Sequence, residues 1–540
     1  MSQQEYETVE NDNLLDSFEH VVVLMFENRS FDNLLGYMYP NGVPDDAPAG
    51  KQFNGVTGKQ LSNPVPDDVK HRPPSGVMSI PVSPTQNPHH PFPDPGEEYS
   101  HINTQLFNVI DGNNNPPYNL PDPVPAEAGM QGFVKDYIEN YKTNQRPGVD
   151  PTYEEYSTIM GCFETSAVPV LTTLAEQFAV FDHWFCSVPS QTWCNRAFWN
   201  AGTSWGHVVN GDFSKGNIEN SLSWVADNGG ATIFNQISET GPDSELDWKI
   251  YSSNEASLTG IIHGRALLDY HLPEGKYFPT LEQFFTDCEQ GVLPAYSFIE
   301  PNFWTPHNDM HPSTFGSKHY GPDKAGSVLL GEHLLWQVYN AVKSSASTTG
   351  SNWENTLLIV TCDEHGGCYD HVSPPKATPP DLSDYTKWQG FDFERLGIRV
   401  PTIMISAHIE KNTVINTPMS HDSFLKTMQK KWSQTYPGKF PPLSTRQQSS
   451  TEFTSVFTAT AARPTADWPT IPEPTLPVDE TDYSDDPITS LQRSILTAAF
   501  HAVDDKAGKE KAVTATTQRE AVDLARSLSK APGKNRSHLS

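Results

Sequence analysis

No stretch of this chain approaches the roughly 18 consecutive apolar residues of a membrane-spanning helix, so a transmembrane protein is not expected. The first residues, MSQQEYETVENDNLLDSFEH, lack both the basic and the apolar region of a secretory leader. The expectation is a cytoplasmic protein, with export by another route or a missing leader as the alternatives. Cysteine is scarce: six residues (Cys162, Cys186, Cys194, Cys288, Cys362 and Cys368), none in CxxC spacing. That excludes a zinc ribbon, and a chain this long needs no disulfide framework. Positive charge is scarce too, with 36 Lys and Arg against 66 Asp and Glu and a net charge of -30. A field of that sign repels phosphate backbones, which excludes nucleic acid as a partner, and it disfavours broad adsorption to anionic membranes. It leaves metal binding open, although an acidic surface more often serves solubility. Internal repeats are absent.

What the chain does contain is a globular composition, 36% hydrophobic and 11% aromatic, with 46 prolines and 35 glycines marking long irregular connections. Short, β-branched apolar runs at His20 to Phe26, Phe178 to Phe185, Leu293 to Ile299, Thr356 to Cys362 and Val400 to Ser406 read as buried strands. Between them, Val168 to Phe178 and Ala325 to Ser344 carry apolar residues at helical spacing. Buried strands alternating with helices predict an α/β protein, a three-layer sandwich around a central, mostly parallel sheet with long loop insertions. Residues 1–17 read as a polar N-terminal segment and 18–435 as one catalytic domain with an insertion at about 38–130. The expected remainder is a Pro- and Thr-rich segment ending in a short helix (436–505) and a polar tail (506–540). The first insertion is expected to wrap the functional face, since irregular stretches of that length are usually functional or mobile.

Two of these strands run directly into polar clusters. HVVVLMF is followed by Glu27-Asn28-Arg29-Ser30-Phe31-Asp32, and TLLIVTC by Asp363-Glu364-His365-Gly366-Gly367. Ligands of open α/β sheets bind beyond the carboxyl ends of the strands. Both clusters therefore deliver carboxylate and amide oxygens to one edge, a donor set for a hard or borderline divalent cation. Ordinary strand-end caps are the competing reading of either pair alone. A third element, Pro189 to Arg196, precedes a predicted helix with Thr192 at or near its N-terminus. There the free N–H groups and the helix dipole favour a phosphate. Thr192 reads either as an N-cap or as a nucleophile activated by a neighbouring metal.

The strings ENRSFDNLLGY, VPSQTWCNRAFWNAGTS and TLLIVTCDEHGGCYDHVSPP, in that order, resemble the signature blocks of the phosphoesterase family of non-specific phospholipases C and acid phosphatases. That family belongs to the alkaline phosphatase superfamily. EPNFWTPHNDMHP, FERLGIRVPTIMIS and SHDSFLKTMQKKW resemble further family blocks, so that the likeness spans residues 18 to 435. It implies an alkaline-phosphatase-like fold and a divalent metal of unknown identity on Glu27, Asn28, Asp363 and Glu364. It also implies Thr192 as nucleophile and His311, His371 and His421 near the phosphoryl group, with His307 and Asp309 as weaker candidates. The chain departs from the family twice: Glu97 stands in place of a histidine that could face the phosphate, with His101 nearby, and Cys194 in place of a proline. The resemblance implies a phospholipase C acting on glycerophospholipids, with transient membrane-surface contact. The alternatives are an acid phosphatase on small phosphomonoesters and a non-catalytic phosphate- or lipid-binding protein.

Overall fold

The computed structural model of the chain describes residues 14–49, 52–112, 118–210, 224, 230–241, 244–253, 257–264, 266–267, 275–381, 390–502 and 506–529. Most of the 1–17 segment and the end of the 506–540 segment lie outside the described residues. The central sheet has seven strands: β1 (His20–Phe26), β2 (Ala179–Phe181), β3 (Trp248–Ser252), β4 (Tyr296–Glu300), β5 (Thr356–Cys362), β6 (Thr402–Ile405) and β7 (Thr413–Ile415). Their spatial order is β7-β2-β6-β5-β1-β4-β3. All neighbours pair in parallel except β6, which runs antiparallel to both β5 and β2. The expected mostly parallel α/β sheet is what forms. Every residue of β5 and all but the first of β1 are buried, so both faces of the sheet are covered.

The helices that position the site are α1 (Phe31–Leu35), α2 (Tyr99–Phe107), α3 (Pro169–Gln177), α4 (Thr192–Ala201), α5 (Gly326–Ser344) and α6 (His421–Thr435). Helices α3 and α5 pack on each other and on β2, β5 and β6. Helices α4 and α6 pack together through Trp199 stacked on Phe424 at 4.7 Å, and Phe424 in turn meets Tyr296 of β4 at 5.3 Å. Aromatic burial of this kind locks α4, and with it the segment carrying Thr192, against the sheet.

Several boundaries differ from the sequence reading. The run Phe178 to Phe185 splits, because Asp182 leaves the sheet to accept the Asn54 N–H at 2.8 Å, and Trp184–Phe185 pairs instead with Met419–Ser420. Strands β3 and β7 escaped the reading; both lie at the sheet's edges, where short or polar sequences suffice. The short helix expected at the end of the 436–505 segment forms, and the segment read as a polar tail carries helices as well. Helices α7 (Ser490–Ala502), α8 (Lys506–Thr514) and α9 (Gln518–Ser529) pack around Leu496, Phe500, Ala512 and Ala521. The buried apolar positions of α8 and α9 are alanines spaced among lysines and arginines, Ala512 and Ala521, so their hydrophobic stripe is thin and the composition looks polar.

Candidate active site

Strands β1 and β5 lie side by side in register, Phe26 opposite Cys362, so the residues that follow each emerge together at the carboxyl edge. The backbone binds the two turns to each other. Asp363 N–H donates to the Phe26 carbonyl at 3.0 Å, Arg29 N–H to the Glu364 carbonyl at 3.1 Å, and Asn28 N–H to Asp363 Oδ1 at 3.3 Å. The approach is so close that Asn28 takes a left-handed conformation (φ 54°). Opposite it, a Cβ on Gly366 (φ +59°) would overlap Asn28's own Cβ and carbonyl. Glycine at that position is a requirement of the site.

Thr192 is the first residue of α4, and the cap position belongs to Gln191. The N-cap reading of Thr192 is therefore overturned. Its hydroxyl instead donates to Glu27 Oε2 at 2.9 Å, fully buried. One turn later on the same face, Arg196 donates from Nε to Glu27 Oε1 at 3.0 Å and stands 3.4 Å from Asp363 Oδ2. Arg196 was missed by the sequence reading. Its signal was available: an arginine four residues after the hydroxyl necessarily shares its helix face.

The four predicted ligands thus lie on adjoining turns, and three of them each leave one oxygen unbonded. Asn28 Oδ1, Asp363 Oδ2 and Glu364 Oε1 are buried without a hydrogen bond among the described residues. Buried polar atoms in a folded protein are almost always bonded, so three orphaned acceptors in one place ask for a cation. The charges ask for the same. Burial pushes the Glu27 and Glu364 carboxyls well above the ordinary range; neighbouring Asp363 pushes both further, while Arg196 opposes it at Glu27. Burial also raises Asp363 against the pull of Arg196. One guanidinium does not balance three carboxylates. A donor set of three carboxylates and one amide oxygen fits a divalent cation.

The long insertion closes the site from the side. Gly367, at φ +68°, lets the turn after β5 sit against the Gly96 carbonyl, which fixes the Pro95-Gly96-Glu97 turn. Glu97 is buried there. It accepts from Gln191 Nε2 at 3.0 Å and from Asn28 Nδ2, and it lies 3.6 Å from His311 Nε2. Burial raises its carboxyl, yet His311, Gln191 and Asn28 outweigh that and hold it below the ordinary range. His311 also meets Asn28 Nδ2 at 3.0 Å and donates from Nδ1 to the Pro312 carbonyl at 2.7 Å. Burial lowers its pKa, but Asp94, Glu97 and Asp309 raise it well above the usual imidazole value. His307 bonds to Asp309 at 2.6 Å, and the Asp309 carbonyl accepts the Glu27 N–H at 2.7 Å, so this pair supports the site from behind.

The other histidines stand elsewhere. His421 accepts from Trp184 Nε1 at 3.3 Å and donates from Nε2 to the Asp363 carbonyl at 2.6 Å. Burial pushes it down to about 4. It is a neutral strut under the Asp363 turn with both nitrogens engaged. His371 belongs to a second cluster, bonded to Asp32 Oδ2 at 2.5 Å, and no hydrogen bond among the described residues joins it to Thr192 or the four ligands. His101 pairs with Asp136 at 2.8 Å and does not stand in for the missing histidine. Cys194 packs among Trp193, Ala197 and Phe198 and donates to the His207 carbonyl at 3.4 Å.

Among the described residues, the group of acidic and histidine side chains whose ligand atoms all lie within 4.8 Å of one another is Asp32, Asp370 and His371 of that second cluster. A cation is already there. Arg399 donates from Nη2 to Asp32 at 2.9 Å and from Nε to Asp370 at 3.0 Å, and its guanidinium lies over the Phe31 ring at 4.5 Å.

The sequence profile of the Phosphoesterase family matches residues 18–434. Non-specific phospholipase C6 of Arabidopsis thaliana is 33% identical over 406 residues, covering 73% of this chain and 63% of that protein. Non-specific phospholipase C4 of the same plant is 32% identical over 410 residues, covering 74% and 63%. Phospholipase C A of Mycobacterium tuberculosis is 25% identical over 455 residues, covering 78% and 74%. The matched stretch therefore spans less than two thirds of the plant relatives' length. A solved protein of the alkaline phosphatase superfamily from Vibrio parahaemolyticus aligns at a TM-score of 0.28 with 14% identity, covering 48% of this chain and 59% of that one, a likeness too slight to bear on the fold.

Proposed function

Since this chain belongs to the Phosphoesterase family, we propose that it is a metal-dependent phosphoesterase of the phospholipase C type, working through Thr192. One observation carries the reading: the Thr192 hydroxyl is bonded to Glu27, within the same buried shell as three orphaned ligand oxygens. Glu27, Asn28, Asp363 and Glu364 would hold a divalent cation. Bound there, it would supply positive charge to a phosphoryl oxygen and lower the pKa of a neighbouring hydroxyl.

The chain's own groups account for the rest. Glu27 orients the Thr192 hydroxyl and accepts its hydrogen. Thr192 Oγ attacks phosphorus, the bond from phosphorus to the alcohol oxygen breaks, and the phosphoryl group passes to Thr192. His311, whose hold on a proton Asp94 and Glu97 strengthen against the effect of burial, gives the proton that the leaving alcohol requires. Water then attacks the phosphothreonine and gives one proton to His311; the bond from phosphorus to Thr192 Oγ breaks, and Glu27 returns its hydrogen to that oxygen. Arg196, fixed by Glu27, adds preorganised positive charge beside the reacting group.

The substrate proposed is a glycerophospholipid, cleaved to diacylglycerol and a phosphorylated head group. The plant and mycobacterial relatives, which are named phospholipases C, support it. Contact with the lipid surface is transient in this reading, since among the described residues no helix is long and apolar enough to cross a membrane. Hydrolysis of p-nitrophenylphosphorylcholine beside p-nitrophenyl phosphate tests it, wild type against Thr192→Ala, with and without chelator. Faster, Thr192-dependent and chelator-sensitive turnover of the diester is expected. Faster turnover of the monoester would make the protein a phosphatase, and silence on both from folded, metal-loaded protein would make it a binding protein.

A further inference from the structure

Glu97 is a buried carboxylate that the proposed chemistry does not consume. It sits between Asn28 and Gln191, the residue immediately before the nucleophile, and accepts a hydrogen bond from each. Its turn is pinned rather than adaptable, because Gln105 Nε2 donates to the Gly96 carbonyl at 2.8 Å and Gly367 presses against the same carbonyl. The negative charge is thus held at one place on the wall beside Thr192. The neighbourhood is shut off from water: Glu97 is 5% exposed, and Thr192 and Asn28 are at 0%. In so dry a place like charges repel with far more force than in water.

Phosphoesters differ in charge by class. A phosphodiester carries a single negative charge, whereas a phosphomonoester above its second pKa of about 6 carries two. We infer that Glu97 is a specificity-determining residue that selects singly charged phosphodiesters over doubly charged phosphomonoesters. The second esterified oxygen of a diester is neutral and meets no such repulsion. A monoester would bring an additional anionic oxygen towards a fixed carboxylate that cannot move away. Selection of this kind rests on what the site rejects. Neutralising Glu97 removes that fixed negative charge and favours the dianion. The inference rests on the phosphoesterase reading and names the substrate class for that same site.

The test compares methyl p-nitrophenyl phosphate with p-nitrophenyl phosphate at pH 8, two substrates that differ only in one methyl ester. Their kcat/KM ratio, measured on one preparation, is independent of the fraction of protein that is folded. In Glu97→Gln the diester-to-monoester ratio should fall by at least about tenfold, equivalent to about 1.4 kcal/mol. In Glu97→Asp, which keeps the charge, it should stay within about threefold of wild type, or about 0.7 kcal/mol. An unchanged or increased ratio in Glu97→Gln overturns the inference. So does an equal fall in both variants, which would assign the effect to shape. Calorimetry on the unaltered protein gives a readout without turnover: dimethyl phosphate should bind at least as tightly as methyl phosphate, and tighter binding of methyl phosphate contradicts the selection. Turnover that survives Thr192→Ala would instead defeat the phosphoesterase reading, whereas Thr192-dependent turnover with an unmoved ratio defeats only the role of Glu97.

Discussion

Two acidic clusters grow from the same two strand ends, and they differ in what meets their oxygens. Around Asp32 and Asp370 every carboxylate oxygen has a donor. Asp32 receives Arg399 Nη2 and the His371 backbone N–H at 2.8 Å, and Asp370 receives Arg399 Nε, Val372 N–H at 2.9 Å and Asp32 N–H at 3.2 Å. Burial raises Asp32, yet Arg399 and His371 hold it below its ordinary range. Around Glu27, Asn28, Asp363 and Glu364, three oxygens accept no hydrogen bond among the described residues, and burial pushes all three carboxyls upward, as it does Asp370 in the staple. Both clusters contain the residue types of a metal site. The Glu27 cluster retains acceptors without a hydrogen bond among the described residues; the Asp32 cluster is a staple that fastens α1 and the turn after β5 to Arg399.

The largest expected effect is at Thr192. Thr192→Ala, or chelation of the metal, should lower turnover by on the order of a thousandfold or more while the circular dichroism spectrum stays unchanged. The staple should respond in stability instead. Asp32→Asn or Asp370→Asn strands the Arg399 guanidinium and should cost about 3–5 kcal/mol in urea denaturation. A loss below about 1 kcal/mol would show that the second cluster is not a staple. In metal-free protein, Glu364→Gln should behave in the opposite way, leaving stability unchanged or raising it by up to about 1 kcal/mol, because burial disfavours its carboxylate and Oε1 accepts no hydrogen bond among the described residues. The smallest effect falls on His371→Gln, which should change kcat by less than about tenfold and cost about 1 kcal/mol of stability, a hydrogen bond's worth. A thousandfold loss of kcat there would return His371 to the reacting centre.

The heart of this arrangement was legible in the sequence, for a physical reason. Strands β1 and β5 are buried on both faces, so they read as continuous apolar runs whose ends coincide with those observed. Polar pairs placed directly after such runs can only emerge at the edge of the sheet. Distance along the chain hid the rest. Glu97 reaches the site from an irregular insertion, placed by Gly96 and Gly367 through contacts that no periodicity records. His311, His371 and His421 looked equivalent as residues, but their partners separate them. One faces Asn28 and Glu97, one braces Asp32, and one supports the Asp363 carbonyl. Helix α7, with Leu491, Ile495, Leu496 and Phe500 buried, was legible, whereas α8 and α9 were concealed because alanine supplies their buried face.

The central claim, that the unsatisfied cluster and not the satisfied one holds the metal, is tested most directly by elemental analysis. Purified wild-type protein, a Glu364→Gln variant and an Asp370→Asn variant would be dialysed against the same buffered divalent metal and measured by mass spectrometry of the metal, with folding verified for each. The account predicts a bound ion in the wild type, retained in Asp370→Asn and lost from Glu364→Gln. Metal retained in Glu364→Gln and lost from folded Asp370→Asn would contradict it.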